Sequence, residues 1–474
     1  MHTSQTIPAR PVYKLLTPLA AWMLAALISP ALLANAAQGQ TVTTLYNFTN
    51  QNGSGSPQAV ALVQGRDAEL YGASFGSPYG SVFKVSTSRI FSDFFAFSST
   101  NGCCPKEGLT LASDGNFYGA AFGGGNGQNG VFFKITPSGT YTAIHYFAGG
   151  SDGANPFAAP MQASDGNLYG TTYNTTGTGS TVYKYTPSSG TFSTIYEFSD
   201  GTVSAPLMQA TDGFLYGTTL NGGWAHCGTI FKISTAGLLL QSVPFLCNAG
   251  GSTPGGGPLV QTLDGNFYGI TTIGGFQNQG TVFKMTPDFH VTILYTFMGR
   301  SGGLQDGRLP AASLFQATDG NLYGTTYGGG AYGAGTLFQI STKGAYKLLY
   351  SFNGATGGHP QGNLMQHTNG ALYGTAQVGG TGHAGTVYEL NLGLGPFIAF
   401  VRPSGAVGQT VQILGQQLTG ATSVTFNGIP AASFTVTSPT FLLATVPSGA
   451  TSGPVVVTTP TATLNSNVNF NVVP

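Results

Sequence analysis

Charged side chains are scarce in this chain. Its 474 residues carry 15 Lys plus Arg and 15 Asp plus Glu, or 6%, where an ordinary soluble domain carries roughly 25%. A disordered chain combines low hydrophobicity with high charge, and here 41% of residues are apolar, so that class is excluded. A formal net charge of zero removes the basic excess that a nucleic-acid binder needs to displace counterions. There are only two Trp, four Cys and seven His, and beyond the N-terminal segment no apolar run is long enough to cross a bilayer. What is abundant is glycine, at 73 positions, with 12% aromatics. That density of glycine is incompatible with a long helical bundle. A Gly-, Thr- and aromatic-rich β protein remains, large enough for more than one domain.

Residues 1–36 read as a signal peptide. Arg10 and Lys14 precede an apolar stretch from Leu15 to Leu33, and Ala34-Asn35-Ala36 offers a small-x-small cleavage site, so cleavage is expected after Ala36. The mature protein is therefore expected outside the cell or at its surface, with no membrane span. Four cysteines suit an oxidising compartment. Cys227 and Cys247, 20 residues apart, are the candidate disulfide; Cys103 and Cys104 are adjacent, and either form a vicinal bridge or stay reduced. No Cys/His spacing suggests zinc.

A Tyr-Gly pair recurs at Tyr71, Tyr118, Tyr169, Tyr216, Tyr268, Tyr323 and Tyr373, at spacings of 47, 51, 47, 52, 55 and 50 residues. The fullest copy is DGNLYGTTYGGG, from Asp319 to Gly330. Each repeat holds four short strands, a to d, with Asp-Gly or Asn-Gly marking most a–b turns, as two-residue hairpins require. Four-stranded units of ~40–50 residues are the pattern of propeller blades. The d-strand motif first appears at Tyr46-Asn47-Phe48, before any a-strand, while the last repeat stops after GTVYEL (Gly385 to Leu390). The expected fold is all-β: a seven-bladed β-propeller over residues 41–390, with the N-terminal strand completing the last blade.

DGNLYGTT, GTVFK and LYSF make Thr41 to Leu390 resemble the GloVer tandem repeat of exported bacterial proteins. The resemblance implies a secreted or surface propeller with no assigned reaction. Asp67-Ala68-Glu69 in the first repeat and Val243-Pro244-Phe245 in the fourth depart from the pattern. From Pro396 to Pro474 the composition shifts to Val, Thr and Pro, with short alternating runs that read as an immunoglobulin-like β-sandwich. Pro403-x-Gly405, Ile413-x-Gly415, Val424-x-Phe426-Asn427-Gly428 and Gly453-Pro454-Val455 make residues 396–474 resemble an IPT/TIG domain, which implies a spacer or interaction module.

The few ionisable residues point to structure before chemistry. Asp114, Asp165, Asp212, Asp264 and Asp319 recur and cannot mark one unique site; turn capping is their expected role. Lys84, Lys134, Lys184, Lys232 and Lys284 share one position on strand c. Asp152, Asp200 and Asp306 lie in d-to-a crossovers, on the face expected to carry the b–c loops, as do His226, His359 and His383. No D-x-D-x-D-G, H-E-x-x-H or Gly-x-Ser-x-Gly pattern is present. No catalytic residue, metal or cofactor is assigned. The irregular feature is aromatic: Tyr79, Trp224, Phe276 and Tyr332 stand at b–c loop tips where the repeat demands no ring, beside amides such as Asn278. Such rings stack on sugars while amides bond hydroxyls. The expectation is a monomeric, non-enzymatic binding or adhesion module for a polysaccharide or a surface protein. Its alternatives are a polysaccharide lyase or hydrolase on the same face, using His226, His359 or His383 with the loop aspartates, and a structural surface spacer.

Overall fold

The computed structural model describes residues 40–473 apart from 50–55, 58–59, 77, 174–178, 248–250, 255–256 and 300–304. The expected signal peptide lies outside these residues. The described chain is all-β, with no α-helix among the described residues and no helix long and apolar enough to cross a membrane. Each Tyr-Gly repeat forms its own antiparallel sheet in the order a-b-c-d. In the first these strands are Val63–Gln64, Leu70–Ser74, Ser81–Val85 and Phe91–Ala96. The Tyr268 and Tyr323 sheets gain a fifth short strand from their crossovers, Ser252–Pro254 and Arg308–Pro310. The Tyr373 sheet takes its fourth strand from the far end of the chain. Val42–Thr49 pairs antiparallel with His383–Leu390, Val42 opposite Leu390 and Thr49 opposite His383.

The repeated letters have local physical reasons. The turn residue's Oδ1 accepts the backbone N–H two positions on, at 3.0–3.2 Å, in all seven repeats, Asp67 and Asn369 included. In six repeats the second carboxylate oxygen takes the hydroxyl proton of the Tyr-Gly tyrosine at 2.7–2.8 Å. In the seventh the Asn369 amide donates to the Tyr373 hydroxyl at 2.9 Å. The strand-c lysine reaches the same group in two repeats: Lys232 Nζ lies 2.9 Å from Asp212, and Lys284 Nζ 3.7 Å from Asp264. The glycine after each tyrosine lies under a strand-c aromatic ring. A Cβ at Gly72 or Gly119 would sit 2.6 Å from the Phe83 or Phe133 ring, so only glycine lets that ring close over strand b.

Buried side chains join each sheet to the next in cyclic succession. Phe132, Phe147 and Tyr183 bridge the second and third sheets; Tyr169, Phe198 and Phe231 bridge the third and fourth. The series continues through Tyr216 and Phe283, Tyr268 and Phe338, and Tyr323 and Tyr388. It returns to the start where Phe48, Tyr373 and Val387 meet Leu62 and Phe83. Glutamines on strand a repeat the joints with hydrogen bonds. Gln162 Oε1 accepts from Ser113 N–H at 2.9 Å, and Gln64 clasps Thr368 of the seventh sheet through two bonds of 2.8 and 2.9 Å.

The C-terminal segment builds two further four-stranded sheets. One contains Ala399–Phe400, Thr410–Leu414, Phe441–Thr445 and Ser433–Ser438; the other contains Ile429–Pro430, Ser423–Phe426, Val455–Thr458 and Thr463–Asn465. Ile413, Val424, Phe426, Leu442, Val457 and Phe470 fill the space between them. This segment lies against the a–b turns of the first, second, third and seventh repeat sheets. Arg66 donates to Gln412 Oε1 at 2.6 Å and stacks 4.7 Å from the Phe441 ring centre. Arg402 donates to Ser164 O at 3.3 Å, and Gln416 to Thr368 Oγ1 at 2.9 Å. Leu414 and Phe441 belong to one buried cluster with Tyr71, Leu111 and Phe117. Residues Gln40–Pro474 accordingly form a single compact unit.

Candidate functional site

The b–c loops and d-to-a crossovers form the end of the repeat sheets opposite the a–b turns. Trp224, Phe276 and Tyr332 stand there 75%, 62% and 66% exposed. They belong to three successive sheets. Each loop begins with two glycines of positive φ, such as Gly222 and Gly223, and carries a further left-handed residue near its tip: His226 (φ 54°), Asn278 (φ 59°) and Gly333 (φ 79°). This tight coil leaves the ring beside it nothing to pack against. A disulfide joins Cys227 to Cys247, Cα atoms 5.5 Å apart, and so ties the Trp224 loop to the crossover bearing exposed Leu246. Asn278 spends its Oδ1 on Gly274 N–H at 2.6 Å, which leaves its amide N–H groups to face outward. Tyr79 differs from the other three rings. It stands directly before Gly80, where the other three loops have Cys227, Gln279 and Ala334, and at that position its ring is half-buried against the cluster of Val82, Phe97 and Val131.

Among the described residues no hydrogen bond or ion pair joins the crossover acids to His226, His359 or His383. Asp152 bonds His145 Nε2 at 2.9 Å and Ala148 N–H at 2.7 Å. Asp200 accepts from Gly223 N–H at 2.9 Å. Asp306, 5% exposed, accepts the Tyr295 hydroxyl at 2.6 Å and the Met298 N–H. Asp152 and Asp306 thus brace their own crossovers against the preceding strand d, and Asp200 ties its crossover to the b–c loop that carries Trp224. His359 Nδ1 bonds Tyr327 O at 2.8 Å, its ring stacked 4.3 Å from Tyr327, whereas His226 and His383 are exposed on separate loops. Among the described residues no three His, Cys, Asp or Glu side chains are grouped to hold a metal ion.

A second cluster lies inward of the loop tips, where strands b end and crossovers turn in. Phe122, Phe157 and Tyr173 contact one another with ring centres 5.8–6.2 Å apart. The Lys106 ammonium sits 4.2 Å above the Phe75 ring and 5.5 Å from Phe122. All five side chains are half-buried. The next residue, Glu107, is 7% exposed and Oε2 has no hydrogen-bond partner. Burial pushes its carboxyl up to about 8, against the opposing effect of the Ala159 N–H it accepts. Cys103 and Cys104 are bonded to each other just upstream. The signal for this cluster was present in the sequence: Lys106-Glu107 puts two charges where other crossovers have Phe157-Ala158, Ala311-Ala312 and Gln361-Gly362.

A closed succession of small antiparallel sheets, with its loops free at one end, defines a propeller-like repeat protein. The chain belongs to the Gloeobacter/Verrucomicrobia repeat family, whose profile matches residues 30–180, 123–305 and 299–437. No curated protein matches the chain. Similar solved structures include an oligogalacturonate lyase in complex with manganese, 12% identical over 76% of this chain and 95% of that one, with a TM-score of 0.51. An oligogalacturonate lyase from Vibrio parahaemolyticus is 10% identical over 75% and 94%, with a TM-score of 0.49. TolB from Acinetobacter baumannii is 14% identical over 60% of this chain and 61% of its own, less than two thirds, with a TM-score of 0.36. At these identities the likeness is one of fold.

Proposed function

We propose that this chain is an exported seven-bladed β-propeller that binds carbohydrate through its loop face without catalysing a reaction. In this reading residues 41–390 are the propeller and residues 396–474 an IPT/TIG-type immunoglobulin-like domain serving as its base. The observation that carries it is the row of Trp224, Phe276 and Tyr332, exposed at the loop tips of adjacent sheets. An exposed aromatic ring costs free energy in water and recovers it on the apolar face of a sugar. The exposed Asn278 amide, beside those rings, supplies donors for hydroxyl groups. Low charge favours a neutral polysaccharide, since a polyanion needs a positive field to gather it.

A glycan-array screen of the mature protein, from Ala37 onward, tests this beside a Trp224→Ala/Tyr332→Ala double variant. Saturable binding to one class of neutral glycan, lost in the double variant, is the expected result. Absence of any glycan binding would turn the reading toward a protein partner on the same rings. Turnover of a bound glycan, seen as new reducing ends or unsaturated products, would replace the binding module with a lyase or hydrolase.

A further inference from the structure

In a chain with 30 charged residues, a lysine and a glutamate in succession at the inner end of one crossover break the repeat symmetry. The Lys106 ammonium is held over Phe75, and among the described residues no carboxylate pairs with it. Burial alone accounts for the lowering of its pKa, and no neighbouring charge contributes. Glu107 is withdrawn in another direction, toward Ala159 of the next sheet, with Oε2 left bare. The positions matching Glu107, among them Val60, Ala158, Ala205 and Gly362, are uncharged and buried. Packing alone is met by those residues, so the repeat does not require an ionisable group here. Residues 103 and 104, locked to each other, fix the chain that delivers both side chains. Beside Lys106 lie the contiguous rings of Phe122, Phe157 and Tyr173. The cluster lies at the loop end, away from the a–b turns of the first, second, third and seventh sheets that the C-terminal segment contacts.

We propose that this inner arc is a second binding site, distinct from the exposed row at the loop tips, for a six-membered ring bearing one carboxylate. The carboxylate pairs with Lys106, and the ring's apolar face lies against Phe122, Phe157 and Tyr173. A half-buried ammonium over aromatic faces lacks one counter-charge, and a single carboxylate supplies it. Two sources share this chemistry: a uronic acid residue of a polysaccharide and an aromatic carboxylic acid.

Calorimetric titration of the mature protein separates them, with glucuronic acid di- and trisaccharides, 4-hydroxybenzoate, and a neutral glucose trisaccharide as control. Saturable binding of one acid class is expected, with the neutral sugar at least about tenfold weaker. Lys106→Met keeps the apolar cover and is expected to weaken binding by about tenfold or more, while Lys106→Arg retains it. Phe157→Leu, which preserves packing volume but not the flat face, is expected to weaken both acids. The Trp224→Ala/Tyr332→Ala variant is expected to bind the acids as the native chain does, so failure of the loop-tip site and failure of this one are read separately. Thermal melts establish that each variant is folded. The proposal is overturned if the native protein binds neither acid, if the neutral sugar binds as tightly, or if folded Lys106→Met binds unchanged.

Discussion

Two tyrosines stand where the other repeats place a phenylalanine. Tyr183 and Tyr388 occupy the strand-c position of Phe83, Phe133, Phe231, Phe283 and Phe338, and their hydroxyls are fully buried with no partner. Removing such a hydroxyl removes an unmet desolvation cost of about 1–3 kcal/mol. Tyr183→Phe and Tyr388→Phe are therefore each expected to raise the melting temperature, a rare direction for a core substitution; a fall would mean the hydroxyls are satisfied by bound water. Glu107 makes a pH-dependent case. Its carboxyl keeps its proton to about pH 8 when folded but has an ordinary value of 4.5, so the native chain loses stability as pH rises from 4.5 through 8. Glu107→Gln escapes that loss, and its melting temperature is expected to gain on the native chain steadily across the window. Asp264 has the opposite sign. Burial alone would raise it, but hydrogen bonds from Thr262, Tyr268 and Asn266 hold it at about 2. Its contribution is present above its ordinary value of 3.8 and is lost as pH falls toward 2, and Asp264→Asn is expected to flatten that part of the acid-unfolding curve.

At the level of strands and turns, much of the molecule was legible because its physics is local and repeated. The Asp-Gly turns, the strand lengths and the missing d-strand all follow from spacing, and the structure pairs Val42–Thr49 with His383–Leu390. What stayed hidden depends on which side chains face one another. The second use of each turn aspartate, as acceptor for a tyrosine four residues on, needs the hairpin before it can be seen. The lodging of Asp152 and Asp306 in their own crossovers, and of Asp200 against the Trp224 loop, likewise follows from loop shapes that residue types do not specify. Tyr79 is half-buried because it stands directly before Gly80, at the foot of its loop and against the core of the next sheet, rather than at the tip where Trp224, Phe276 and Tyr332 stand. The Tyr-Gly glycine gives this scale its test. Gly217→Ala would drive a methyl into the Phe231 ring and is expected to cost about 1–3 kcal/mol, as overpacked cores do. Chemical denaturation measures it, and an unchanged midpoint would mean the ring can tilt away freely.

For the whole molecule, the C-terminal segment changes what the repeats can present. It packs on the a–b turns of the first, second, third and seventh sheets, shares a core with Tyr71, Leu111 and Phe117, and so takes up part of that end of the repeats. Calorimetry is expected to show one unfolding transition for Gln40–Pro474, and two separate transitions would contradict the shared core. Deleting residues 37–49 would strip the last sheet of its fourth strand and bare the edge of His383–Leu390; the expected outcome is self-association by size-exclusion chromatography. The closing strand also imposes an order of events. Val42–Thr49 is among the first segments to be made, yet its partner lies more than 330 residues later. Until that partner emerges, six sheets can form while an apolar strand waits without its mate. A chain built this way is exposed through the synthesis of every sheet between the two partners, and the join that ends the exposure is the one that makes the ring.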